Sequence, residues 1–176
     1  MEETTNLPTV RQVGIRYGLI GGVISIIFFV IMNVAQVDIT AWYWKWIGYI
    51  ITAVLIFLAH KYYKENGNGF MPYGQGIGIG VWIGIISSII SSVFTYIYIK
   101  FIDSGFIEAI KEKSIADMEA KGMSDEQIEQ AMKFVSMFTT AEAMFIMGII
   151  FGIITAVIIA LLVSIFTQKK NPEPTF

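Results

Sequence analysis

Residues 73–101, YGQGIGIGVWIGIISSIISSVFTYIYIKF, decide how the rest of the chain is read. The stretch holds no charged side chain before Lys100. A helix crossing the hydrocarbon core needs about 20 apolar residues at 1.5 Å of rise each. This run is therefore a span, and it is longer than the core requires, so tilt or a turn projecting into water is expected. The same criterion finds three more spans, at 17–37, 42–59 and 143–167. The second is entered through Trp42, Tyr43, Trp44 and Trp46, aromatic residues that favour the interface, where a ring is half buried and its polar edge is wet. The expected fold is an all-α membrane protein: one membrane domain over 1–176 with four transmembrane helices.

Composition agrees. Hydrophobic residues make up 55% of the chain and charged ones 15%, against about a quarter charged in soluble domains. The segments 18–32, 47–59, 74–99 and 143–168 carry almost no charge, whereas fourteen charged side chains fall within 100–142. Net charge is −2 with the basic residues scattered, so nothing points to a nucleic-acid partner. Cysteine is absent, which excludes disulfides, thiolate catalysis and Cys-ligated metals. The first apolar run follows Glu2, Glu3, Arg11 and Arg16 and lacks a small-x-small cleavage site. It reads as a retained helix and not as a signal peptide.

Between the third and fourth spans, 104–138 reads as an extramembrane amphipathic helical hairpin. Ile107, Ile110, Ile115 and Met118 give the first helix a one-sided apolar stripe, and Gly122 suits the left-handed position that ends a helix. The next start signal is unusually complete. Ser124 and Gln127 form a capping box, Asp125 and Glu126 occupy the first turn, and Met123 and Ile128 stand at the staple positions. Ile128, Ala131, Met132, Val135 and Phe138 then recur at helical spacing.

With four spans, Arg11, Arg16, Lys61, Lys64, Lys169 and Lys170 share one side, and Lys45, Lys100, Lys111, Lys113, Lys121 and Lys133 the other. The totals tie, so proximity decides. Of the second group only Lys45 and Lys100 adjoin a span, and cytoplasmic termini are expected.

Small residues recur every fourth position in three spans: Gly14, Gly18 and Gly22; Gly76, Gly80, Gly84, Ser88 and Ser92; and Gly148, Gly152, Ala156, Ala160 and Ser164. Lipid tails are as apolar as Leu, so membrane helices associate through close packing, and such stripes let backbones approach. Gly76, Gly80, Gly84, Ser88, Gly148, Gly152, Ala156 and Ala160 are expected at helix contacts, with Ile86 on the opposite face. The pattern leaves open whether the contact lies within one chain or between two.

No ionisable residue lies at mid-depth in a span, so the pattern lacks the intramembrane charges that mark proton relays and ion pathways. Asn33, Gln36 and Gln75 are weak polar-site candidates at span ends, read as interhelical hydrogen-bonding groups. His60 reads as an interfacial residue facing headgroups. Glu142 lies at the mouth of the fourth span, but Thr139-Thr140-Ala141-Glu142 also reads as a capping box with Thr139 as cap. Ser87, Ser88, Ser91, Ser92 and Thr95 either line a polar track or bond back to their own helix carbonyls. No G-x-S-x-G, H-E-x-x-H or phosphate-binding loop occurs. Neither catalytic residues nor cofactor or metal ligands are expected.

Met71-Pro72-Tyr73-Gly74-Gln75-Gly76, Phe94-Thr95-Tyr96-Ile97-Tyr98, Lys100-Phe101-Ile102-Asp103 and the run from Gly122 to Met132, GMSDEQIEQAM, resemble an uncharacterised bacterial membrane family known as domain of unknown function 4199. The resemblance covers nearly the whole chain. It implies a small bacterial inner-membrane protein with this four-span plan, and no activity. The expected role is non-enzymatic: helix–helix association, as a membrane subunit or scaffold whose partners are the bilayer and a second copy or another membrane protein. The alternative is a small transporter or channel component, oligomeric in use.

Overall fold

The computed structural model describes residues 7–35 and 42–172, the side chains of 42–45 excepted. Its described residues form six α-helices: α1 (Val10–Val34), α2 (Trp42–Glu65), α3 (Tyr73–Ile97), α4 (Phe106–Ala120), α5 (Asp125–Phe138) and α6 (Ala141–Thr167). A π-helical turn, Tyr98–Ile102, extends α3, and the Asp103 N–H donates five residues back to the Tyr98 carbonyl at 2.9 Å. Four helices are long and apolar enough to cross a membrane: Val10–Val34, Trp46–Glu65, Tyr73–Ile102 and Ala141–Thr167. Large apolar side chains face outward along all four, among them Val23 and Ile27, Ile50 and Phe57, Ile89 and Val93, and Ile154 and Ile158. Contiguous exposed surface of that kind is foreign to a soluble bundle. The chain is a multi-pass membrane protein.

Helix ends differ from the apolar windows because hydropathy does not see caps. α1 begins seven residues before the expected span, where the Thr9 hydroxyl accepts from Gln12 N–H and the Gln12 side chain accepts from Thr9 N–H. This second capping box, Thr-Val-Arg-Gln, is as legible in the sequence as the one at Ser124. α2 continues six residues past the expected end to Glu65. Gln36, the end of the first expected span at 37, and the side chains of Trp42, Tyr43 and Trp44 lie outside the described residues.

The small-residue stripes meet inside the chain. α3 and α6 run antiparallel in one register, four residues forward on one for four back on the other. A Cβ on Gly76 would come within 2.6 Å of the Ser164 hydroxyl, one on Gly84 within 2.6 Å of Ala156 Cβ, one on Gly152 within 2.6 Å of Ser88 Cβ, and one on Gly148 within 2.6 Å of Ser92 Oγ. Gly80 meets Ala160 still more closely. On its other side α3 packs parallel to α1, where large residues fill the glycine groove: Trp82 against Gly14, Ile86 against Gly18 and Ile90 against Gly22. Ile86 is thus opposite the α6 contact, yet it is a packing residue and does not face lipid. α2 closes the bundle with its C-terminal half through Ile56 and Ala59, which join Val13, Ile79, Ile83 and Ala160 in the core.

At one end, the loop before α3 is bridged to the chain after α6: Met71 N–H donates to the Lys169 carbonyl at 2.8 Å, and Lys169 N–H to the Met71 carbonyl at 2.9 Å. At the other end, Phe29 packs edge-on to Tyr98 and Phe94, with centroids 5.1 and 6.0 Å away. Phe106, Ile99 and Ala141 complete that cluster and seat the start of α4 on the bundle.

α4 and α5 pack together as a helical pair. Gly122 takes φ +74°; its N–H bonds the Glu119 carbonyl at 2.8 Å, and Met123 N–H bonds Met118 at 3.2 Å. This is the Schellman pattern that frees a helix to turn. At the start of α5 the Ser124 hydroxyl accepts from Gln127 N–H at 3.4 Å, and Gln127 Oε1 accepts from Ser124 N–H at 2.9 Å. Replacing both residues by Ala should cost about 1 kcal/mol and raise amide exchange over the first turns of α5. Unchanged exchange across 125–138 would show that packing against α4 alone holds the helix.

The inner face of α5 is narrower than its sequence pattern. Ile128 is buried and Ala131, Met132 and Val135 are half-buried, but Phe138 is exposed, as are Phe134 and Met137.

Candidate functional site

Ile56, Ala59 and His60 are spaced three and four residues apart, so they lie on one face of α2. That face carries His60 into the bundle, with 0% of its surface exposed. The headgroup-facing reading of His60 is overturned, because α2 continues for more than a turn beyond it while Lys61 takes the outward direction. The imidazole joins three helices. The Gly76 carbonyl on α3 lies 2.9 Å from Nε2, and a carbonyl only accepts, so Nε2 carries a hydrogen. The Thr167 hydroxyl on α6 lies 2.7 Å from Nδ1 and 2.9 Å from the Val163 carbonyl, and its one proton serves one of them. Lys64, a turn further along α2, donates to the Thr167 carbonyl at 2.8 Å, placing a cation where the dipole of α6 is negative. Ser164 Oγ lies within the same cluster, buried and without a hydrogen-bond partner among the described residues.

The glycine at 76 is what admits the ring. A Cβ there would stand 3.2 Å from His60 Cε1 and 2.6 Å from Ser164 Oγ. Residue 76 was legible as part of a packing stripe. Its carbonyl as an imidazole partner was not.

A second polar region lies at mid-depth. The hydroxyls of Ser25, Thr52, Ser87, Ser88, Ser91 and Thr155 line a cleft of about 360 Å³ between α2 and the other three long helices. Ser87, Ser88 and Ser91 bond back to carbonyls of α3 at 2.7, 3.2 and 3.2 Å, and they also line the cleft. For these three the two readings hold together, whereas Ser92 and Thr95 do not line the cleft. Ser25 and Thr52 are each the lone Ser or Thr of their span, and Thr155 stands nine residues from the next, Ser164, so no local run marks them.

The remaining candidates are dispersed. Asn33 donates to the Phe29 carbonyl of its own helix at 2.8 Å, which replaces the interhelical bond expected of it. Gln75 is half-buried in the first turn of α3. Glu142 is exposed and pairs with Lys100 at 2.8 Å, tying the π turn to the start of α6. The Thr139 capping box does not form. Thr140 caps α6 by accepting from Ala143 N–H at 3.1 Å, while the Thr139 hydroxyl donates to the Val135 carbonyl of α5. Two adjacent threonines compete for one cap, and the end of α5 takes the first. Among the described residues, no group of three His, Asp or Glu is placed to hold a metal ion.

The family model for a protein of unknown function, DUF4199, matches residues 16–169. The chain belongs to this family. The match runs from the second turn of α1 to the Met71–Lys169 bridge, so the stripes apart from Gly14, the His60 cluster, the cleft and the α4–α5 pair all fall within the family's extent. No curated protein and no solved structure matches the chain.

Proposed function

We propose that this is a non-enzymatic subunit or scaffold of the bacterial inner membrane, with cytoplasmic termini and with the α4–α5 pair displayed outside the bilayer as its contact element. The observation that carries the reading is the end of α5. Phe134, Met137 and Phe138 are 68, 64 and 55% exposed on a helix that opens with Asp125, Glu126 and Glu129. An apolar edge of this kind on a charged helix marks a contact surface. The small-residue stripes are occupied within the chain, so association falls to other surfaces. The bundle end that holds Arg11, Arg16, Lys61, Lys64 and Lys169 suits the cytoplasmic side by the weight of near-membrane Lys and Arg.

Because the chain lacks cysteine, single Cys substitutions report topology directly. A membrane-impermeant maleimide on intact spheroplasts should label Glu126→Cys, and should label Lys170→Cys only after permeabilisation. A photo-crosslinking residue at Met137 should then yield a discrete protein adduct, while one at lipid-facing Ile158 yields none. The reverse labelling pattern would invert the topology, and lipid adducts alone at Met137 would remove the contact role.

A small transporter or channel component is the second reading, favoured by the hydroxyl-lined cleft. Movement of an ion or small solute into liposomes above an empty-vesicle control would support it over the scaffold.

A further inference from the structure

α2 rests on the bundle with its C-terminal half only. Leu55, Ile56, Ala59 and His60 are buried, whereas no residue from 46 to 54 is. In that N-terminal half a Cβ on Gly48 would meet nothing within 4 Å. The stand-off opens the cleft of about 360 Å³, and an adjoining hollow of about 110 Å³ shares Ser25, Gly48, Thr52 and Ser87 with it. Ser25 stands nine residues before the end of α1 at Val34, or about 13 Å along the helix. The cleft therefore lies well inside the apolar span.

Its chemistry is weighted toward acceptors. Ser25 donates to the Gly21 carbonyl at 2.8 Å and Thr52 to Gly48 at 2.9 Å, as the three α3 serines do to theirs. A hydroxyl has one proton and two lone pairs. With the protons engaged by the helices, these five side chains offer a guest acceptor oxygens. Among the described residues no Asp, Glu, Lys, Arg or His lines the cleft, so a charged guest at this depth would find no counter-charge from them. Phe151, Ala156 and the ring of Tyr49 supply apolar wall beside the hydroxyls, and the Thr155 and Tyr49 hydroxyls, which also line the cleft, each carry a proton that can donate.

We propose that the cleft is a binding site for an uncharged alcohol, whose hydroxyls donate to the Ser and Thr oxygens between α2 and α3. Two sources carry that chemistry: a membrane amphiphile with a glycerol-like head, and a water-borne polyol. The test uses the full chain in phosphatidylcholine nanodiscs, which bring no hydroxyl-bearing headgroup, and follows tryptophan fluorescence on heating. Three probes are added separately: 1-monooleoylglycerol, methyl oleate with a similar chain but no donor, and glycerol. A ligand that binds only the folded state raises the melting temperature with its concentration. Saturable stabilisation by monooleoylglycerol and none by methyl oleate is expected from the amphiphile; saturable stabilisation by glycerol alone assigns the site to a water-borne polyol. In the double variant Thr52→Val with Ser87→Ala, half-maximal stabilisation should need about tenfold more of the active probe, the equivalent of two lost hydrogen bonds. Equal shifts from monooleoylglycerol and methyl oleate without a saturable glycerol effect would overturn the proposal, as would an unaltered response in the double variant. If that variant does not fold, the comparison of probes on the unaltered chain decides.

Discussion

Gly80→Ala should destabilise the bundle, while Gly74→Ala, the same change six residues earlier in the same helix, should leave stability equal or higher. In a helix interior Ala is favoured over Gly by about 1 kcal/mol, so both changes begin with a local gain. At Gly74 the new Cβ meets nothing within 4 Å. At Gly80 it runs into Ala160, whose Cα is 3.5 Å away, and the obstacle is the methyl and backbone of a facing helix with no rotamer to yield. Relief requires α3 and α6 to separate, and overpacking of this kind costs roughly 1 to 3 kcal/mol. Gly84→Ile and Gly152→Ile add larger groups at contacts of 2.6 Å and should cost more. The apolar control belongs at lipid-facing Ile89, not at Ile86, because Ile86 fills the groove at Gly18. Thermal melting in one detergent compares the set. If Gly80→Ala melts at or above the unaltered chain, the register joining α3 to α6 is wrong.

His60→Ala should be the most damaging single change at the end of the bundle where α2 meets α3 and α6. It removes a ring from the core and takes away the imidazole bonds to Thr167, which keeps the Val163 carbonyl, and to the Gly76 carbonyl, which keeps its place in the α3 ladder. The cavity and the two lost hydrogen bonds together are expected to cost roughly 2 to 4 kcal/mol. His60→Gln separates the two contributions. Its amide can still donate toward Gly76 while losing Thr167, so it should recover part of the loss. Melting temperature and resistance to SDS unfolding report both variants. A His60→Ala protein that melts like the unaltered chain would return the residue to the headgroup region.

The contrast between these two sites shows what a sequence can carry. The four spans were legible because crossing a bilayer is a demand on length and apolarity, properties of each segment alone. The turn at Gly122 and the cap at Ser124 were legible for the same reason, since their hydrogen bonds close within six residues. The spacing of Gly76, Gly80 and Gly84 marked a contact face, because helical periodicity is also local. Which helix met that face was not local. Gly80 opposite Ala160 is a statement about residues 80 positions apart, and the same stripe would serve a second chain equally well. His60 failed for a related reason. Hydropathy averaged along the chain ends a span where Lys61 begins to count against it, but burial depends on direction around the helix, and only the positions of α3 and α6 make that direction an interior. At Thr139 and Thr140 the sequence offers two caps for one helix, and the nearby Val135 carbonyl chooses between them. The cleft is the furthest from local reading. It exists because the N-terminal half of α2 stands away from α3, and a gap is set by how rigid helices cross, not by any residue that lines it.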